Sequence, residues 1–272
     1  MAQIDIKEAT IKIFDGTLGA TTVDCTNADS DLTFTSKSKH IGSDKISITY
    51  VDPATASAAL SVAVDGREIT VNLATSTASA ITSTAAEVKT AIEASSPANA
   101  LVTVTFAETV GAGIVEAKTV ATLNGQLSVD IKVGEGNFTY SDKKPRIFTR
   151  DRGSLDTVKN DDDEPMDVSF DLIWEWITAE TGGTPTVEDA FKKRGEAAAW
   201  LTTADDACQP YSIDLEIHNA PGCGTADDEI LIFEEFYYED ISHDLSEGTA
   251  SVTGRCNRVE PTTRRVAAAD IP

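Results

Sequence analysis

Apolar and polar side chains alternate with period two along much of this chain, the pattern of strands that bury one face. Ile4 and Ile6 and, after a change of phase, Ile11 and Ile13 predict an N-terminal strand. Leu127 to Val133 and Asn137 to Ser141 predict two more, on either side of Gly134-Glu-Gly136. From Asp167 to Thr178 a long strand is expected, with Val168, Phe170, Leu172, Trp174 and Trp176 on one face. Three further strands follow, Tyr211 to His218, Glu229 to Tyr238 and Thr249 to Val259. The spacing turns helical at Val187, Ala190 and Phe191, before Gly195; Thr184 or Thr186 suits the N-cap and Pro185 the first turn.

A different texture fills the stretch from Thr22 to Gln126. It is rich in Ala, Ser, Thr and Val and holds few aromatics, whereas all three tryptophans (Trp174, Trp176, Trp200) lie outside it. Inside it, Lys45 to Val51 alternates as a strand, and Ala59 to Val64 and Arg67 to Leu73 read as a hairpin about Asp65-Gly66, the type I′ signal. Thr84 and Glu87 form a capping box ahead of Ala85, Val88, Ala91 and Ile92 at helical spacing, and Ala100 to Ala107 reads as another strand. With this stretch removed, the strand around Ile11 and Ile13 runs through a turn into the strand at Leu127. The expected fold class is therefore mainly β (α+β): a strand-rich core with one helix, spanning 1–21 and 127–272, and a small α+β domain at 22–126 inserted in a surface loop.

Charge sharpens this division. The formal net charge is −23, which opposes a grip on nucleic-acid phosphates. The stretch from Thr22 to Gln126 has six basic and eleven acidic residues, or −5, so the remainder carries −18 (−23 + 5). No segment approaches the roughly 18 uninterrupted apolar residues of a membrane helix, and the first residues lack the layout of a signal peptide, so folding in a cytoplasm without a membrane is expected. Cys25, Cys208, Cys223 and Cys256 form no Cys-x-x-Cys pair and read as free thiols, with pairing after release into an oxidising medium left open.

The densest chemistry is Asn160-Asp-Asp-Asp-Glu164. As a calcium loop it has the wrong spacing, with Pro165 where a glycine is needed and Asp171 at the position of the closing glutamate, so it reads as a solvated tip. Just before it, Lys143, Lys144, Arg146, Arg150 and Arg152 crowd what is expected to be one long loop, Tyr140 to Glu164. Gly134-x-Gly136 lacks the rest of a dinucleotide fingerprint, His40, His218 and His243 are scattered, and no nucleophile elbow, phosphate loop or zinc motif occurs. The sequence thus predicts no catalytic residue, no metal and no cofactor. Phe233, Phe236, Tyr237 and Tyr238 are assigned to packing and subunit contact, because their stretch alternates with acids such as Glu235.

Three stretches together resemble the tail tube proteins of long-tailed bacteriophages: Ile11-Lys-Ile-Phe-Asp-Gly16; Gly134-Glu-Gly-Asn-Phe-Thr-Tyr140; and Asp161-Asp-Asp-Glu-Pro-Met-Asp-Val-Ser-Phe-Asp-Leu-Ile-Trp-Glu-Trp-Ile177. The inserted stretch, through Tyr50-Val-Asp-Pro53, Ala59-Leu-Ser-Val-Ala-Val64 and Ile81 to Val88, is similar to a small domain that recurs in phage virion proteins. The resemblance implies a β-sandwich or barrel core with one flanking helix, and a structural virion protein, not an enzyme, assembled in the host cytoplasm into hexameric rings that stack as a tail tube. Implied partners are further copies of the chain, a tape-measure protein, tail-terminator and baseplate proteins, and genomic DNA only in transit. On this expectation Asp161, Asp162, Asp163 and Glu164 face the lumen or a ring seam. Lys143, Lys144, Arg146, Arg150 and Arg152 join ring to ring, and residues 22–126 stand outside a non-contractile tube. The competing expectation is a surface-binding adhesin or capsid-decoration module built from two β-rich domains.

Overall fold

The computed structural model describes residues 10–131, 137–151, 154–173, 185–219 and 229–265. Its chain divides into two compact units, Met1–Gly16 with Leu127–Ala267, and Thr17–Gln126. In chain order, strands β1 (Thr10–Phe14), β2 (Ala20–Val23), β3 (Leu32–Ser36), β4 (Ser47–Val51), β5 (Ser61–Asp65) and β6 (Glu68–Asn72) precede helices α1 (Ala85–Ala94) and α2 (Ser96–Leu101). Next come β7 (Val102–Phe106), β8 (Lys118–Thr122), β9 (Ser128–Ile131), β10 (Phe138–Ser141), β11 (Arg146–Asp151), β12 (Ser154–Asn160) and β13 (Met166–Ile173). Helix α3 (Val187–Lys192) and strands β14 (Ile213–Asn219), β15 (Glu229–Asp244), β16 (Thr249–Cys256) and β17 (Thr262–Arg265) complete the chain. The molecule is mainly β.

In the first unit eight strands form one sheet, in the order β10-β13-β16-β15-β14-β1-β9, with β17 also paired to β15. The sheet curls. Phe138 on β10 and Phe233 on β15 have ring centroids 5.2 Å apart although two strands stand between theirs. At about 4.8 Å per strand a flat sheet would hold them roughly 14 Å apart. The turning point is Glu235, a non-glycine residue at φ 52, where the register of β14 and β15 shifts. Before it β15 pairs with β14 and β17; beyond it β15 pairs with β16, and only Phe236 still also faces β14, at Ile213. One core results, with Ile11, Ile13, Val168, Phe170, Leu215, Phe233, Phe236 and Val252 from the sheet and Phe191 from α3. The expected barrel is not closed: among the described residues β9 and β10, the two ends of the sheet, do not pair.

Helix α3 starts at Thr186, whose hydroxyl accepts from the amide of Asp189, so Thr186 and not Thr184 is the cap and Pro185 precedes the first turn. The Tyr211 hydroxyl donates to the carbonyl of Ala190 at 2.9 Å and ties the helix down. The long strand expected from Asp167 is described to Ile173; Trp174, Trp176 and the Gly134–Gly136 turn lie outside the described residues. The expected loop from Tyr140 to Glu164 is largely a hairpin, β11 against β12, and the two make a separate two-stranded sheet.

The second unit has two sheets, β5-β6-β4-β8 and β2-β3-β7. Their core is built from Phe34, Ile48, Tyr50, Ile69 and Val71 with Val88 and Ile92 of α1. Strands β4 and β6 run parallel, an arrangement the hairpin pattern does not announce. Its turn also departs from expectation. The central residues are Gly66 and Arg67, and only Gly66 has positive φ, so the type I′ geometry, which needs it at both, is absent. The expected boundary at residues 21 and 22 falls inside β2, and the division lies at Gly16 instead.

The start of α1 carries the capping box: Glu87 N–H donates to the Thr84 hydroxyl and Thr84 N–H to the Glu87 carboxylate. The next amides, of Ala85 and Ala86, donate to the carbonyls of Gly113 and Gly111. That loop is itself organised by one acid. The Asp29 carboxylate accepts the amides of Thr109, Val110, Gly111 and Ala112 at 2.9–3.1 Å and the Thr109 hydroxyl at 3.1 Å. These amide bonds hold the carboxyl well below the usual carboxylate range.

Candidate functional site

The described residues place the predicted basic and acidic groups at and around one hairpin. Lys143 and Lys144 lie between β10 and β11, Arg146 and Arg150 on β11, and Asp161 to Glu164 between β12 and β13, with Arg152 outside the described residues. All four acids are exposed. They stand at the root of the hairpin and not at its tip, because β12 runs on to Asn160 and the Asp161 amide donates to the carbonyl of Pro145.

The bases were expected to join ring to ring and the acids to face the lumen or a ring seam. Part of that charge is matched within the chain: Lys143 Nζ lies 2.7 Å from Asp167 and 3.7 Å from Glu164, and Lys144 Nζ lies 2.8 Å from Glu260. Arg146 bonds the Asn160 side chain across the hairpin. The hydrogen bond from Lys143 lowers the Asp167 carboxyl, and Arg255, 3.1 Å away, assists. These exposed contacts fix how the hairpin leaves the sheet more than they add stability.

The apolar content of the hairpin was not anticipated. Phe148 and Val158 are directly opposite partners and share one face, with 61% and 59% of their surface exposed. Ile147, on the other face, is 43% exposed. The signal lies in Arg146-Ile-Phe-Thr and Thr157-Val-Lys-Asn, but the crowding of charge around it hides the alternation.

A second feature of this unit is a groove of about 570 Å³ beside α3. Val129, Leu172, Ile173, Val187, Phe191 and Ile241 give it an apolar floor. Its rim carries Asp130, Glu188 and Asp189 with Lys12, Arg194 and His243. Each rim acid has a basic neighbour. Lys12 is 3.5 Å from Asp130, Arg194 reaches Glu188 at 2.7 Å and Asp189 at 3.0 Å, and the hydrogen bond from Lys192 lowers the Glu188 carboxyl.

The bend of β15 has a charged support that the sequence did not flag. Arg258 lies 3.1 Å from Glu234, 2.9 Å from Glu235 and 3.1 Å from Asp205, and Glu235 is only 1% exposed. The Asn257 side chain donates to the second oxygen of Glu235 at 2.9 Å. Of the thiols, Cys256 is buried and Cys25 half-buried, burial raising the pKa of both, while Cys208 is exposed; all three are free, and Cys223 lies outside the described residues. Among the described residues no helix is long and apolar enough to cross a membrane. Comparison with family models, with curated proteins and with solved structures finds no match to this chain.

Proposed function

We propose that this chain is a self-assembling structural subunit whose copies close into rings and stack into a tube, the role implied by its resemblance to phage tail tube proteins. One observation carries the proposal: the β11–β12 hairpin stands as a two-stranded sheet and exposes Phe148 and Val158 side by side. An isolated two-stranded hairpin is marginal in water, and its apolar face gains stability only by being covered. Another copy of the chain supplies that cover in the proposed tube.

The ends of the large sheet, β9 and β10, each with one strand partner among the described residues, support the same role. A free strand edge invites pairing with another chain, and a closed ring is an arrangement in which every copy's edges are used. Hexameric rings would give a conduit whose acidic wall repels DNA phosphates, so a genome slides through without sticking. In this proposal the second unit stands outside the tube. Its size, near 13 Å in radius of gyration for about 100 residues, suits no pore that must pass a duplex, and such knobs fit a non-contractile tail. The acids Asp161 to Glu164 and the bases Lys143 to Arg152 then belong to ring seams.

Negative-stain microscopy of the purified chain over a range of concentrations tests this. Rings or tubes of constant inner diameter are expected. A chain that remains monomeric at every concentration would refute self-assembly and favour a surface-binding module.

A further inference from the structure

One dipeptide of the second unit is chemically reactive in its own right. Of the eight asparagines in the chain, only Asn124 precedes a glycine. The amide nitrogen of the residue after an asparagine can reach that asparagine's side-chain carbonyl, and a glycine there puts no side chain in the way. At Gly125 the approach is open: φ is 109, and a Cβ built there would meet nothing within 4 Å. Both residues are exposed. The Gly125 amide and the Asn124 side chain make no hydrogen bond among the described residues. By contrast, the side chains of Asn27, Asn72, Asn99, Asn160 and Asn257 are each held by one, and Asn137 precedes Phe138, a bulky residue paired within β10.

We propose that Asn124 is a site of spontaneous covalent modification through a succinimide, with the chain itself as substrate and water as the co-reactant. Hydroxide removes the Gly125 amide proton, and the bared nitrogen attacks Cγ of Asn124. A C–N bond closes the ring, and Nδ2 takes a proton from water and departs as ammonia. Water then opens the ring at either carbonyl. One opening gives aspartate with the main chain in its old path. The other gives isoaspartate, in which the main chain runs through Cβ and Cγ and the former backbone carbonyl becomes a free carboxylate. The main chain of Asn124 is held meanwhile: its N–H donates to the Ala20 carbonyl at 3.0 Å and its C=O accepts the Ala20 amide at 2.8 Å, an isolated bridge that joins the two ends of the second unit. A lone bridge opens more readily than a ladder, so it slows ring closure without preventing it. Isoaspartate adds a methylene to the main chain next to that bridge and replaces a neutral amide by a charge. The bridge therefore loosens as the protein ages.

Ageing the purified full chain in mildly alkaline buffer tests this. Samples taken over several weeks are digested in acid, and the peptide containing Asn124 is read by mass spectrometry, with electron-transfer fragmentation to separate aspartate from isoaspartate. That peptide should turn progressively into both products, isoaspartate the larger, while the peptides with Asn27, Asn72, Asn99, Asn160 and Asn257 keep their amides. Raising the pH should speed the change, because hydroxide bares the attacking nitrogen. In Asn124→Gln, whose ring would have to be larger, the new species should be lost, with an unaltered circular dichroism spectrum showing that the chain is folded. Hydrogen exchange at the Ala20 amide should be faster in the aged protein than in the fresh one, and equal exchange would overturn the loosening. An Asn124 that keeps its amide in the folded chain, while a synthetic Ala121–Ser128 peptide loses it, would overturn the site itself. Loss spread evenly over all the asparagines would do the same. The outcome is independent of self-assembly, which microscopy reads separately.

Discussion

Replacing Phe148 and Val158 together by Ser separates folding from assembly. Phenylalanine buries about 150–250 Å² when wholly covered, so the 61% still exposed leaves roughly 120 Å² to be covered by a neighbour. At about 25 cal/mol per Å² this amounts to ~3 kcal/mol. Val158, 59% exposed, adds about 1 kcal/mol. Incomplete cover reduces the total to about 3 kcal/mol, or roughly two orders of magnitude in the dissociation constant of each contact. The monomer should lose no more than about 0.5 kcal/mol, because both residues sit on the surface. Sedimentation velocity across a concentration series, beside urea melts of the same samples, reads the two effects separately. Assembly at an unchanged concentration would refute the assignment of this face to a subunit contact.

Four other perturbations have defined outcomes. Arg258→Ala leaves buried Glu235 without its ion pair, and a urea melt should show a loss of about 3 kcal/mol, at the low end for broken buried pairs because Arg258 is 35% exposed; an unchanged midpoint would show that the bend of β15 does not need the charge. Gly254→Ala puts a Cβ 2.2 Å from the Tyr237 carbonyl oxygen and 2.7 Å from the Phe236 ring, so a loss of about 1–3 kcal/mol is expected, and an unaltered thermal melt would contradict that packing. The depressed carboxyl of Asp29 contributes stability above its unfolded pKa of 3.8, lost only as pH falls through a much lower folded value; amides 109–112 should thus stay protected from hydrogen exchange just below pH 3.8, and Asp29→Asn should weaken that protection. Excising Thr17–Gln126 and joining Gly16 to Leu127 by a short glycine link should leave the first unit folded and its tubes narrower outside but equal inside, whereas collapse of its near-ultraviolet circular dichroism would mean that this unit cannot fold alone.

Legibility in the sequence follows the range of the interactions concerned. Strands β1, β9, β14 and β16 alternate over enough residues to declare a buried face, and the Thr84–Glu87 box is local, so these were readable. Strand β15 was foreseen only to Tyr238 because register shifts, at Glu235 and again between Tyr238 and Asp240, change which residues face the core. The four residues of β17, Thr-Thr-Arg-Arg, hold no apolar residue at all. Asp29 meets its partners some 80 residues away, and nothing near it in the chain announces them. The Phe148–Val158 pair exists only once the register of the hairpin is known. A barrel was what the resemblance implied, and a likeness of short sequence stretches says nothing about whether the end strands of one chain meet.

The place where the chain leaves the first unit and returns to it has a kinetic consequence. Strands β1 and β9 are neighbours in the sheet, yet Thr17–Gln126, about 110 residues, separates them in the chain. Closing so long a loop while it is unfolded costs about 2 kcal/mol more entropy than closing one of roughly ten residues. Once the second unit is folded, Ala20 and Asn124 are hydrogen-bonded to each other in both directions, and the distant ends become adjacent. The inserted unit then acts as a very large turn. Slowing its folding should delay completion of the other unit's sheet even when no residue of that sheet has changed.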